Sequence, residues 1–242
     1  MKLYEGKSKI VYTTKQTKTN ITNSLVNLYF KDDVTAFNGE KHDTIAGKGK
    51  INCKISAFFM EMFKSHGINT HYVELLDAQT QLCRIVEIIP IEVVVRNAAA
   101  GSLCRRFGVE KGMRLPRPLV EFFYKSDEHG DPPMSRSHAL LFNMATNEEM
   151  DYMETVALQV NEILVEFWNS LAIDLIDFKI EFGRAGDDIL LADEMTPDAC
   201  RLWKSGTQTS MDKDVYRYGL GDLGETYQTL YEMIETVNNN EL

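Results

Sequence analysis

An α+β fold is expected for this 242-residue chain, and three patterns point to it. β-branched and aromatic runs dominate the first third, around one helical stripe. Long helical stripes and extended runs alternate in the remainder. Between them, Ile88-Ile89-Pro90 breaks the pattern, because proline removes a backbone donor. The boundaries follow as 1–89, mostly β with one long helix, and 90–242, a mixed α+β part. Mainly antiparallel sheets with packed helices are expected.

Lys9 to Thr14 and Leu25 to Phe30 read as strands, separated by a polar linker from Lys15 to Asn23. Gly39, Gly47 and Gly49 mark residues 34–50 as an ordered loop. Ile51, Ile55, Phe58, Phe59, Met62 and Phe63 recur at helical spacing, and His66-Gly67 supplies a stop. Tyr72 to Leu76 and Leu82 to Val86 read as paired strands, and Ile91 to Arg96 as a further strand. Residues 112–138, rich in Pro, Gly and charge, are expected to be irregular. Thr146-Asn147-Glu148-Glu149 has capping-box form and opens the longest helix, whose apolar stripe runs from Met150 to Leu171. A strand pair and two helical patterns finish the chain. Thr196 and Pro197 suit the cap and first turn of one, and Leu223, Tyr227, Leu230 and Ile234 mark the other.

Net charge is −10, from 26 basic and 36 acidic residues, which argues against a nucleic-acid or anionic-membrane partner. No apolar run approaches the roughly 18–20 residues of a membrane helix. The first residues carry no apolar signal core, so a cytoplasmic location is expected. Residues 1–60 hold ten lysines and five acids. A focused anion site or a solvated lysine-rich face would both produce that excess. Cys53, Cys83, Cys104 and Cys200 have no metal-site spacing and read as reduced thiols.

Several segments can carry chemistry. Gly6-Lys7-Ser8 lacks the upstream glycine and following helix of a P-loop. A glycine turn between strands, with lysines at 7 and 9, is a different phosphate-holding device. A plain surface hairpin accounts for the same residues. In Asp177-Phe178-Lys179-Ile180-Glu181-Phe182, the apolar residues share one strand face and Lys179 and Glu181 the other. A turn at residues 185–188 would fold Asp193 nearly opposite Glu181. Facing carboxylates destabilise a ladder unless a cation lies between them, either Mg²⁺ with nucleotide phosphates or Lys179 alone. Arg96 to Ser102 reads as a strand-to-helix junction able to hold an anion, with Glu92 and Arg96 on one strand face. An edge strand with a salt bridge explains that face equally well. Asp198 falls in the first turn of the helix expected after Thr196, and Arg201 one turn on has no structural explanation. Asp212 to Arg217 reads as a solvated loop.

Together these segments resemble the phosphoribosylaminoimidazole-succinocarboxamide synthase (SAICAR synthetase) family. The stretches that carry the resemblance are Tyr4 to Lys9, Ala36 to Gly39 with Gly47-Lys48-Gly49, Val94 to Asn97 with Ala100-Gly101-Ser102, Asp177 to Gly183, Asp193-Glu194, Pro197-Asp198 with Arg201-Leu202-Trp203, and Asp212-Lys213-Asp214. The resemblance implies a two-lobed fold related to the nucleotide sites of ATP-grasp enzymes and protein kinases. It implies an ATP-dependent ligase that joins carboxyaminoimidazole ribotide (CAIR) to L-aspartate. Gly6, Lys7, Ser8, Lys9, Val11, Ile88 and Lys125 would then bind the nucleotide. Lys179, Glu181 and Asp193 would be catalytic, the two acids binding Mg²⁺. Glu92, Arg96, Ser102, Asp198, Arg201, Lys213 and Arg217 would contact the other substrates, and a homodimer is expected from bacterial relatives. Asp131 to Ser137 departs from the family pattern and is left out of the expected site. A small-molecule kinase or a non-catalytic nucleotide-binding module would use the same nucleotide lobe.

Overall fold

The computed structural model describes residues 1–14 and 24–240, so the linker expected at 15–23 lies outside the described residues. Strands β1 (Lys2–Glu5), β2 (Lys9–Thr13) and β3 (Leu25–Phe30) open the chain. A small hairpin, β4 (Asp33–Ala36) and β5 (Lys41–Thr44), replaces most of the loop expected at 34–50. Helix α1 (Lys48–Ser65) follows, then β6 (Tyr72–Asp77) and β7 (Thr80–Arg84). These strands, the hairpin aside, form a five-stranded antiparallel sheet in the order β1-β2-β3-β7-β6.

Strand β8 (Glu87–Ala98) begins a second sheet, and the expected break at Pro90 is absent. Pro90 instead lies where the register of β8 against its neighbour shifts, between Gly183↔Ile88 and Glu181↔Glu92. A proline is tolerated at such a bulge because no ladder donor is needed there. After α2 (Ser102–Phe107) comes β9 (Arg114–Tyr124), a long strand where irregular chain was expected. Its Pro116 and Pro118 fall in a register shift, between Ala98↔Arg114 and Arg96↔Leu119. The two-residue β10 (Pro133–Met134) pairs only with Phe122 and Phe123, which leaves the prolines on an open edge.

Helices α3 (Arg136–Leu141) and α4 (Asn147–Ser170) come next, the latter opened by the expected capping box of Thr146 and Glu149. The strands β11 (Ile173–Ala185) and β12 (Asp188–Ala192) form a hairpin through Gly186-Asp187. The helix expected from Thr196 does not form. Residues 200–204 are β13 (Cys200–Lys204), antiparallel to β11. Leu202 and Trp203 are buried, and the register with β11 overrides a capping signal that acts only locally. Helices α5 (Asp214–Tyr218) and α6 (Leu223–Asn240) end the chain.

The second sheet explains the site. On β8, Ile91, Val93 and Val95 are fully buried, and on β11 Phe178, Ile180 and Phe182 are nearly so. This face joins α1 and α4 in one core through Phe59, Phe63, Met153, Leu164 and Trp168. The alternate residues of the same strands, Glu92, Val94, Arg96, Asp177, Lys179 and Glu181, line a cavity of about 760 Å³. Val11, Val26, Leu28 and Cys83 of the first sheet line its other wall. The period of two along each strand thus divides core from site.

Candidate active site

One end of the cavity holds a lysine–carboxylate cluster. Glu181 is buried, and its Oε1 accepts from Lys125 at 2.7 Å and Lys179 at 2.9 Å. Lys179 also donates to Glu92 at 2.7 Å. Lys9 lies 2.6 Å from Asp193 and 2.5 Å from Glu194. Glu181 pairs with Ala192 across the hairpin, so Asp193 stands one residue past the strand end, with φ at 63°. That turn brings its carboxylate into the cavity beside Glu181. Burial opposes charge on both Lys9 and Asp193, yet each holds the other ionised. Lys7 leaves this cluster from the β1–β2 turn and meets Asp127 at 2.6 Å. Beyond the lysines, Val11, Val26, Leu28, Ile85 and Ile88 form an apolar slot.

Behind the cluster, His71 fixes the turn by hydrogen bonding through Nε2 to the Asp193 carbonyl at 3.1 Å. Burial lowers its pKa to about 4. An unfolded histidine titrates near 6.5, so between about pH 4 and 6.5 only the unfolded chain takes up this proton. Its contribution to stability is present above pH 6.5 and is lost as pH falls. His71→Gln keeps a donor and is expected to shrink the drop in urea midpoint between pH 7 and pH 5. An unchanged drop would show that other groups set the acid limb.

At the other end, Asp177 gathers two arginines. It accepts from Arg96 Nη1 at 2.7 Å and from Arg201 Nη1 at 2.8 Å. Arg96 also donates to Glu121 at 2.6 Å and to Ser102 at 3.0 Å, which places Ser102 behind the arginine rather than on the cavity wall. Arg201 donates through Nε to Asp214 at 3.1 Å, and Arg217 reaches the same carboxylate at 2.6 Å. Gly101 sits flat against Arg201, with φ at 53°, and a Cβ there would come within 2.6 Å of Nη2. Between the two ends, Asp198 accepts from Lys48 at 2.5 Å, Asn52 at 3.0 Å and Tyr227 at 2.7 Å. Burial would raise its pKa, but the Lys48 ammonium against it holds it low.

A family model described as SAICAR synthetase matches residues 2–234. The chain belongs to the SAICAR synthetase family. It is 47% identical over 236 residues to the phosphoribosylaminoimidazole-succinocarboxamide synthase of Staphylococcus carnosus (strain TM300), covering 97% of this chain and 98% of that one. The crystal structure of the synthase from Ehrlichia chaffeensis aligns with a TM-score of 0.91 at 41% identity, covering 97% of this chain and 98% of that one. A SAICAR synthetase in complex with ADP aligns with a TM-score of 0.90 at 40% identity, covering 96% of both chains. None of these matches supports a small-molecule kinase.

For this SAICAR synthetase family member, the cavity collects every residue expected to bind nucleotide, metal or the other substrates except Ser102. Three local expectations need correction. Asp198 belongs to a turn closed by Thr196 Oγ1, which accepts from the Asp198 amide at 3.2 Å, and not to a helix. The segment Asp212 to Arg217 is not a solvated loop: Asp212, Asp214, Val215 and Tyr216 are buried, and Asp212 ties β13 to α5 by accepting from the amides of Leu202 and Asp214. Asp131, set aside with its loop, borders the cavity. The residues missed are Lys48, Asn52, Asp177, Asp214 and Tyr227. Lys48, Asp177 and Asp214 fell within the family stretches and could have been read from them. Tyr227 was legible only as a core position of α6.

Proposed function

We propose that this chain joins the carboxylate of CAIR to the amine of L-aspartate with ATP, giving SAICAR, ADP and phosphate. This is ligase chemistry of purine biosynthesis, and the observation that carries it is a single cavity with two differently built anion sites. The apolar slot and lysine cluster suit an adenine with its phosphates, and the arginine pair on Asp177 suits a ribotide phosphate. A carboxylate is a poor electrophile; phosphorylation makes an acyl phosphate that an amine attacks. Both partners of the phosphoryl step are anions, so positioning and charge neutralisation supply the catalysis.

In this reading Gly6, Lys7, Ser8 and Lys9 hold the phosphates, with Lys125 beside them, and Val11 and Ile88 flank the base. Arg96 and Arg201 bind the ribotide phosphate, with Ser102 buttressing Arg96 and Asp198 alongside. Lys213 and Arg217 face the aspartate. Glu92 orients Lys179, which neutralises charge near Glu181. Among the described residues, no group of three or more His, Cys, Asp or Glu is arranged to hold a metal alone. Two carboxylates on adjoining chain segments do fit Mg²⁺, which takes its remaining ligands from phosphate and water. When bound there, Mg²⁺ would neutralise phosphate charge; Glu181 and Asp193 would hold it.

Among the described residues no helix is long and apolar enough to cross a membrane, and the four cysteines are unpaired. We further read the chain as a cytoplasmic homodimer whose residues 1–89 form the nucleotide lobe. An ADP-release assay with each substrate omitted in turn tests the reaction. Sustained release is expected only with ATP, CAIR and aspartate together. Equal release without aspartate would overturn the ligase reading.

A further inference from the structure

Lys7, Lys9, Arg84, Arg96, Lys125, Lys179, Arg201 and Arg217 all line the cavity, and each has a carboxylate within ion-pairing distance. Among the described residues Lys213 is the one cationic side chain of the cavity with none. The charged groups that face it are Asp198, Arg217, Lys48 and Glu194. Both acids are already committed, Asp198 to Lys48, Asn52 and Tyr227, and Glu194 to Lys9 and Thr196. Lys213 thus makes no ion pair of its own among the described residues, the acids nearest it are engaged by other donors, and two cations stand beside it.

The proposed reaction needs such a group. Aspartate arrives as an ammonium with no lone pair, and Asp198 is a poor proton acceptor because Lys48 holds it ionised. We propose that Lys213, as the neutral amine, is the general base that takes a proton from the aspartate ammonium. This rests on the acyl-phosphate reading above, and it leaves Arg217 to bind a substrate carboxylate. The freed amine attacks the acyl carbon and the C–N bond forms. The C–O bond to phosphate then breaks, and the departing phosphate takes the second proton from nitrogen. The protonated Lys213 returns its proton to solvent. Consistent with this, burial lowers the Lys213 pKa; Asp198 opposes the shift, while Arg217 and Lys48 add to it.

Lys213→Arg tests the idea, since arginine keeps a long hydrogen-bond donor at the position but stays protonated and cannot act as a base. Turnover with aspartate is expected to fall roughly 10²-fold or more. The wild-type kcat is expected to level off with rising pH, and that of the variant to keep rising. Hydroxylamine, already a free base at neutral pH, replaces aspartate in a second arm. Hydroxamate formation from CAIR and ATP should fall far less in the variant than aspartate turnover does, which also shows that it is folded. Aspartate turnover kept within a few-fold, or equal losses with both nucleophiles, would overturn the proposal. Absence of hydroxamate with the wild-type enzyme would instead sink the acyl-phosphate reading.

Discussion

Asp193→Asn is expected to reduce turnover on the order of 10²–10³-fold, the loss typical when one preorganised electrostatic group is removed from a transition state. The change keeps the shape of the side chain and removes only its charge. Lys9 retains Glu194 at 2.5 Å, so no buried cation is left alone. The urea midpoint should therefore stay close to wild type. A variant that keeps full turnover would reduce the Asp193 pair to a structural contact and remove the metal reading. A variant that loses turnover and fold together would be uninformative about catalysis, and Asp193→Glu, which restores the charge at a different reach, then separates the two.

Arg201→Gln addresses the other end of the cavity. Truncating one partner of a buried, hydrogen-bonded charge pair costs roughly 2–5 kcal/mol. The KM for CAIR is accordingly expected to rise on the order of 30-fold or more. The KM for ATP should change little, because the lysine cluster is built on separate residues. Asp177 keeps Arg96 at 2.7 Å, which limits the damage to the fold. Glutamine is a better choice than glutamate, which would set a third carboxylate against Asp177 and Asp214. Equal rises in both constants would mean that the arginine serves the wrong ligand in this assignment.

The elements with repeating patterns were legible before the structure. Helix α4 announced itself by the Thr146–Glu149 capping box and a long apolar stripe, and β11 by the alternation from Phe178 to Phe182. What misled was local chemistry judged without its partners. Pro90, Pro116 and Pro118 look like breaks, but each sits at a bulge or an open edge where a missing donor is harmless. Thr196-Pro197 looks like a helix start, but pairing with β11 draws the chain after it into a strand. The site was legible as a set of residue types and spacings. Its inner supports Asn52 and Tyr227 were not, because they become site residues only when α1 and α6 bring them against Asp198. Glu181 and Asp193 were expected nearly opposite each other; the turn after Ala185 pairs Glu181 with Ala192, and the positive φ of Asp193 just past the strand is invisible in a sequence.

Strand β8 passes from Ile88, at the apolar slot, to Arg96, at the arginine end of the cavity. The eight residue-to-residue steps of extended chain span roughly 26 Å, paired with a neighbouring strand on each side over most of that length. It acts as a ruler: continuous pairing from Ile91 to Arg96 fixes most of the spacing between the two anchoring points, and the bulge at Pro90 sets its bend. Two molecules bound at its ends would meet at a separation that the strand, and not a loop, sets.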